Sequence, residues 1–149
     1  MAVAPVAEVV FRLIELGSAD YLEYLSLRNE VLRKPLGLVF TEEEMKREPD
    51  CIHIGGYVGE ELCMTIALVP EGQKAKMIQV ATRPGYERRG IGSLGLKFCD
   101  NYCRKLNVGE VYCHARETAI PFYLKNGYVT EGDKYLLVGI PHITMRKKL

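Results

Sequence analysis

Residues Ile78 to Ser93, IQVATRPGYERRGIGS, constrain this chain more than any other stretch. A run suited to a strand breaks at Pro84-Gly85 and continues as Glu87-Arg88-Arg89-Gly90-Ile91-Gly92-Ser93. It then enters a segment with Ile91, Leu94, Phe98, Tyr102 and Leu106 at helical spacing. A glycine-rich turn that opens a helix leaves the first backbone N–H groups without intrahelical partners. Those donors and the positive end of the helix dipole form a site for a phosphate or pyrophosphate. Gly90 and Gly92 lack a Cβ, so a ligand can approach the backbone closely, and Arg88 and Arg89 add positive charge there.

Two other phosphate-binding patterns fit less well. A P-loop needs Gly-x-x-x-x-Gly-Lys-Ser/Thr, and no such run occurs. Gly90, Gly92 and Gly95 match the spacing of a dinucleotide fingerprint, which would make the chain a nucleotide-binding oxidoreductase. The loop lies late in the chain, however, and no acidic residue ends a following strand at the right distance; Glu110 begins one instead.

The rest of the chain reads as alternating strands and helices without repeat or linker. Val9 to Leu16 suits a strand and Ala19 to Arg33 a helix, with Ser18 or Asp20 as its cap and Pro35-Leu36-Gly37 as its stop. Thr41-Glu42-Glu43-Glu44 is a capping box that predicts a short second helix, ended by Pro49-Asp50. Cys51 to Val58 and Leu62 to Val69 read as a hairpin through Gly59-Glu60. Pro70-Glu71-Gly72 is read as a turn into a strand from Lys76 to Thr82. After the glycine loop and its helix, Val111 to Ala115 suits a strand. Thr118 is placed to cap a helix from Ala119 to Lys125, and Asn126-Gly127 to end it. Tyr128 to Thr130 and Ile143 to Lys147 close the pattern, with loops expected around Gly132-Asp133 and Gly139-Ile140-Pro141. The order βααβββαβαββ predicts one α/β domain over 1–149, with a mixed sheet.

Composition narrows the partners. A net charge of +1 supplies no strong field toward nucleic acid or a membrane surface. No apolar run approaches the ~20 residues that span a bilayer. Five cysteines without a Cys-x-x-Cys pair suit free thiols in a reducing cytoplasm. Cys99 and Cys103 share a helix face and could form half of a metal site, but no further ligand lies near them in sequence, so no metal is expected.

From Ile78 to Tyr128, and more loosely along the whole chain, the sequence resembles the Gcn5-related N-acetyltransferase (GNAT) superfamily. Ile78 to Thr82 resembles that family's central strand, Pro84 its V-x-P turn, and Glu87 to Gly92 its pyrophosphate loop. Ala119-Ile120-Pro121-Phe122-Tyr123-Leu124-Lys125-Asn126-Gly127-Tyr128 matches the pattern A-x-x-F-Y-x-x-x-G-F/Y. VLRKPLG near Pro35 and GIPH at Gly139 to His142 are similar to the small bacterial branch that includes ElaA-type proteins. Two positions depart from the family: Glu87 stands where Gln or Arg is usual, and Arg116 where Asn commonly contacts the cofactor.

The resemblance implies a mostly antiparallel mixed sheet flanked by helices, and transfer of an acetyl group from acetyl-coenzyme A to an amine of a small molecule or peptide. It also implies a homodimer. The cofactor contacts it implies are Val80, Ala81, Thr82, Arg88, Arg89, Gly90, Ile91, Gly92, Ser93 and Arg116. A strand N–H at Ala81 or Thr82 would polarise the thioester carbonyl. Tyr123 would protonate the departing thiolate, since a phenol stays protonated at neutral pH. For the base that accepts the amine proton, His53, His114, His142 and Glu42 to Glu44 compete, with His142 placed first because GIPH falls in a turn near the open end of the sheet. Arg28 and Arg33 are either acceptor contacts or part of a solvated helix face. A coenzyme A sensor without turnover is the alternative to an enzyme.

Overall fold

Three adjoining apolar runs form the centre of the sheet in the computed structural model, which describes residues 8–149. These are β2 (Ile52–Val58), β3 (Glu61–Glu71) and β4 (Lys74–Thr82), and β3 is buried without a break from Leu62 to Leu68. Around them lie β1 (Val9–Leu13), β5 (Glu110–Arg116), β6 (Val129–Leu137) and β7 (Ile140–Lys148). The helices are α1 (Ala19–Arg28), α2 (Glu42–Lys46), α3 (Ile91–Lys105) and α4 (Ile120–Lys125). The seven strands lie in the order β1-β2-β3-β4-β5-β7-β6, and every neighbouring pair is antiparallel except β4 and β5. The expected element order and mixed, mostly antiparallel sheet are therefore present.

Two hydrophobic clusters hold the layers together. The larger packs Ile91, Leu96, Cys99 and Cys103 of α3 and Tyr123 of α4 on strand residues that include Ile66, Met77, Val111 and Met145. The smaller packs Tyr21, Tyr24 and Leu27 of α1 on Ile14, Tyr57 and Leu62. Close approach of α3 to the sheet depends on Gly95, where an added Cβ would meet the Met64 sulfur at 2.8 Å. Among the described residues no helix is long and apolar enough to cross a membrane.

Several boundaries differ from the sequence reading. The first helix ends at Arg28, and residues Asn29–Arg33 form a wider turn in which the Lys34 N–H reaches the Asn29 carbonyl, five residues back. β3 runs on through Pro70-Glu71, so its hairpin turns at Gly72-Gln73. β6 and β7 are longer than expected. Gly132-Asp133 is an irregularity inside β6 between Glu131 and Tyr135, and the turn falls at Val138-Gly139. Thr118 caps nothing: residues Glu117–Ala119 form a short 3-10 turn that leads into α4. The capping box at Thr41 and Glu44 forms as predicted, as does the Ser18 cap.

Candidate active site

The parallel pair at the centre of the sheet is short. β4 and β5 align only at Lys74↔Glu110, Ala75↔Val111 and Lys76↔Tyr112. Beyond Lys76 the strands diverge, which leaves one edge of β4 from Met77 to Thr82 and one of β5 from Cys113 to Arg116 without a ladder partner in each other. Gln79 assists the divergence. It adopts φ 55°, a left-handed conformation unusual for a residue with a side chain, and the Thr65 hydroxyl donates to its carbonyl at 2.9 Å. On the β3 side the register shifts at the same place, so Gln79 lies in a bulge that turns Val80–Thr82 into the gap.

Two connected cavities fill this gap. One, of about 530 Å³, lies at the glycine loop and is lined by residues that include Val80, Thr82, Arg88, Gly90, Gly92, Ser93 and Tyr123. The other, of about 910 Å³, lies between the diverging strands and includes Val80, Ala81, Thr82, Arg88, Arg116, Tyr123 and His142. Both share Val80, Thr82, Glu87, Arg88, Ala119, Phe122 and Tyr123.

At the loop end, Gly90 has φ 77° and begins α3 with no side-chain cap. The Leu94 N–H returns to the Gly90 carbonyl, while the N–H groups of Ile91, Gly92 and Ser93 precede the first intrahelical bond. Arg88, at φ 61°, adds a second left-handed residue to the turn and reaches the cavity without an ion pair among the described residues. Arg89 instead lies over the Tyr86 ring at 5.0 Å and does not line the cavity; the Ile91 side chain is buried in the core. A Cβ on Gly92 would meet the Phe122 ring at 3.0 Å, so this glycine sets how closely α4 lies against α3. The Asn126 amide, bound to the Ser93 hydroxyl at 3.1 Å, ties the same two helices together.

Tyr123 is 6% exposed and lies between the rings of Phe122 and Tyr128, with centroids 5.1 and 5.3 Å away. Burial raises its pKa well above that of a free phenol, and the Cys113 thiol beside it adds to the rise. Burial pushes the Cys113 thiol up to about 12. Both groups are held neutral.

The histidines separate by position. His142, 7% exposed, lines the larger cavity and donates from Nδ1 to the Ile140 carbonyl at 2.7 Å, because a carbonyl can only accept. In the neutral ring this leaves the Nε2 lone pair free. His114 lines the same cavity but is held through Nδ1 to the Tyr135 hydroxyl at 2.5 Å. Partial burial, then the neighbouring Lys76, His142 and Arg146, lower its pKa. His53 lies outside the cavity and uses both ring nitrogens, on the Tyr24 hydroxyl and the Glu48 carbonyl.

Some sequence candidates are engaged elsewhere in the structure, and one cavity residue was not among the candidates. Arg28 faces neither an acceptor nor solvent: it is 1% exposed and forms two hydrogen bonds to Glu48, at 2.5 and 3.2 Å. Glu44 is engaged by Arg33 at 2.5 Å, and Arg33 lines the larger cavity as a cation that is already paired. Lys76, not singled out in the sequence, lines the larger cavity; its alternation with buried Ala75 and Met77 was the available signal.

Among the described residues no group of three or more His, Cys, Asp or Glu side chains is placed to hold a metal ion.

Comparison with known proteins agrees with this fold. The family described as Acetyltransferase (GNAT) domain matches residues 40–149. A Bacillus subtilis protein described as an acetyltransferase is 26% identical over 99 residues, 66% of this chain and 67% of its own. Of the solved structures, an N-acetyltransferase from Lactobacillus plantarum superposes with a TM-score of 0.81 at 23% identity, covering 95% of this chain and 97% of that one. Escherichia coli ElaA superposes with a TM-score of 0.79 at 18% identity, covering 93% and 99%. PaiA N-acetyltransferase from Thermoplasma acidophilum, similar in fold with a TM-score of 0.72 at 19% identity and covering 95% and 99%, was solved with coenzyme A.

Proposed function

The chain belongs to the GNAT acetyltransferase family and is an acyltransferase; on that premise we propose that it transfers the acetyl group of acetyl-coenzyme A to a primary amine of a small molecule or peptide, by direct attack in a ternary complex. The observation that carries this reading is the divergence of β4 from β5 beyond Lys76, which opens toward the free amides at the start of α3. Bound acetyl-coenzyme A supplies an activated acetyl thioester and departs as the free thiol. The amides of Ile91, Gly92 and Ser93, with the α3 dipole and Arg88, hold the pyrophosphate. Because these contacts come from the backbone, Glu87 does not remove them. The unpaired edge of β4 at Ala81 or Thr82 donates to the thioester carbonyl and favours the charge that develops on its oxygen.

His142 accepts the amine proton at Nε2, and Tyr123 donates its hydroxyl proton to the sulfur as the carbon–sulfur bond breaks. Burial keeps the Tyr123 hydroxyl protonated at neutral pH, so the proton is in place when the sulfur departs. A homodimer, implied by the family resemblance, in the reducing cytoplasm that the free cysteines suit, completes the proposal.

Acetyl-coenzyme A should stabilise the folded chain. At 100 times Kd the gain is about 2.7 kcal/mol, and at about 2–4 °C per kcal/mol for a domain of this size the melting temperature should rise by ~5–10 °C. Thermal shift with acetyl-coenzyme A, followed by thiol release across an amine panel, checks the proposal. Stabilisation with no thiol release from any amine would favour a sensor, and an unmoved melting temperature at millimolar ligand would refute the cofactor assignment.

A further inference from the structure

On the acetyl-transfer reading, the larger cavity must also admit the acceptor, and its wall has a charge pattern that the chemistry of transfer does not require. Side chains on β5 alternate: Val111, Cys113 and Ala115 are buried beneath the helices, while Tyr112, His114 and Arg116 project from the other face. Strand pairing extends that face across the sheet. Lys76 aligns with Tyr112, His114 with Thr144, and Arg116 with His142. Lys76 and Arg116 thus stand on the two diverging strands, both half-buried and both lining the cavity.

Two of the neighbouring cations are already compensated, and Arg88, unpaired among the described residues and lining both cavities, is assigned to the pyrophosphate. Arg33 is paired with Glu44, and Arg146 with Glu110 and Glu131. Lys76 and Arg116 form no ion pair among the described residues. The one carboxylate that lines the cavity is Glu87, on the glycine loop. A half-buried cation without a counter-charge is costly, and an anion that enters beside it recovers that cost. Arg116 offers a planar fork suited to a carboxylate or phosphate, and Lys76 offers a point charge. Opposite them, the Asn29–Arg33 turn brings Val31 and Leu32 to the cavity.

We infer that the acceptor is a small amine that also carries an anionic group, carboxylate or phosphonate, and that Lys76 and Arg116 hold this group while His142, beside Arg116, faces the amine. Polycationic amines are repelled by the same pair. The inference assigns Arg116 to the acceptor, not to the cofactor.

The test is calorimetric binding to the coenzyme A-loaded protein, which needs no turnover. Glycine, leucine and phenylalanine are compared with their amides, and 2-aminoethylphosphonate and spermidine are added as separate arms. At least one acid or the phosphonate should bind at least tenfold more tightly than every amide and than spermidine; the acid and phosphonate arms show which anion is preferred. Arg116→Gln and Lys76→Met should each reduce that preference at least threefold, with Arg116→Lys restoring part of it, while coenzyme A affinity stays within twofold. Amides or spermidine binding as tightly as the acids would overturn the inference. So would an Arg116→Gln protein that loses coenzyme A affinity and keeps its preference for acids. If coenzyme A itself fails to bind the parent protein, the acetyl-transfer reading falls first and takes this inference with it.

Discussion

Tyr123→Phe should lower kcat by about 10²-fold, the low end of the range for general acid catalysis, and change acetyl-coenzyme A affinity little. The ring stays wedged between Phe122 and Tyr128, so the substitution removes a proton donor and leaves the packing. A fall in kcat and kcat/KM together marks an interaction made in the transition state. Loss of the hydroxyl costs on the order of 1 kcal/mol of stability, so a melting curve confirms that the protein assayed is folded. If the variant turns over its cognate amine at nearly the parent rate, Tyr123 is a packing residue and the thiolate takes its proton from elsewhere.

Arg28→Met should destabilise the fold by about 3–5 kcal/mol, because it leaves the Glu48 carboxylate buried without its main counter-charge. Arg28 and Glu48 are 1% and 4% exposed, and Tyr21 donates a further hydrogen bond to Glu48 at 2.8 Å. At about 2–4 °C per kcal/mol, the melting temperature should fall by ~6–20 °C. Burial alone would raise the Glu48 pKa, but hydrogen bonds from Arg28, its charge and the Tyr21 hydroxyl outweigh burial and hold it below the ordinary 4.5. The contribution of Glu48 is therefore present above that value and lost as pH falls through its lower folded value. His53 acts at higher pH in the same direction. Burial lowers its pKa from 6.5, so below that value the unfolded chain binds a proton that the folded chain resists. Denaturant unfolding of the parent should thus show stability falling below about pH 6.5 and falling further in the carboxylate range. An Arg28→Met protein as stable as the parent would show that the pair contributes nothing. The same pair anchors the end of α1, from which the Asn29–Arg33 turn carries Val31 and Leu32 to the acceptor side of the cavity.

The features legible in the sequence are those encoded over a few residues. The loop from Glu87 to Ser93, the capping box at Thr41 and Glu44, and the segment from Ala119 to Tyr128 each depend on neighbours within about one helical turn. The features that escaped depend on partners far along the chain. Gln79 takes a left-handed conformation through its place opposite β3 and the Thr65 hydroxyl, fourteen residues away, and nothing in the residue itself signals a bulge. Arg28 and Glu48 are separated by twenty positions, so an arginine on a helix looked like a surface group until the fold placed a buried carboxylate against it. Gly132-Asp133 has the composition of a turn and lies inside a strand, because pairing with β7 continues on both sides. The divergence of β4 and β5 is a property of two strands and cannot be read from either one. This is why Lys76 passed as an ordinary strand lysine.

The central claim is that the gap between β4 and β5, together with the start of α3, holds the cofactor. An NMR titration of the labelled protein with coenzyme A tests it most directly. The largest changes should fall on the amides of Ile91, Gly92 and Ser93 and of Val80, Ala81 and Thr82, while Gln73, Asn107 and Gly109 at the opposite end of the strands stay in place. Saturating coenzyme A that leaves the Gly90–Ser93 amides unmoved, or that perturbs the Asn107–Gly109 end instead, would contradict the claim.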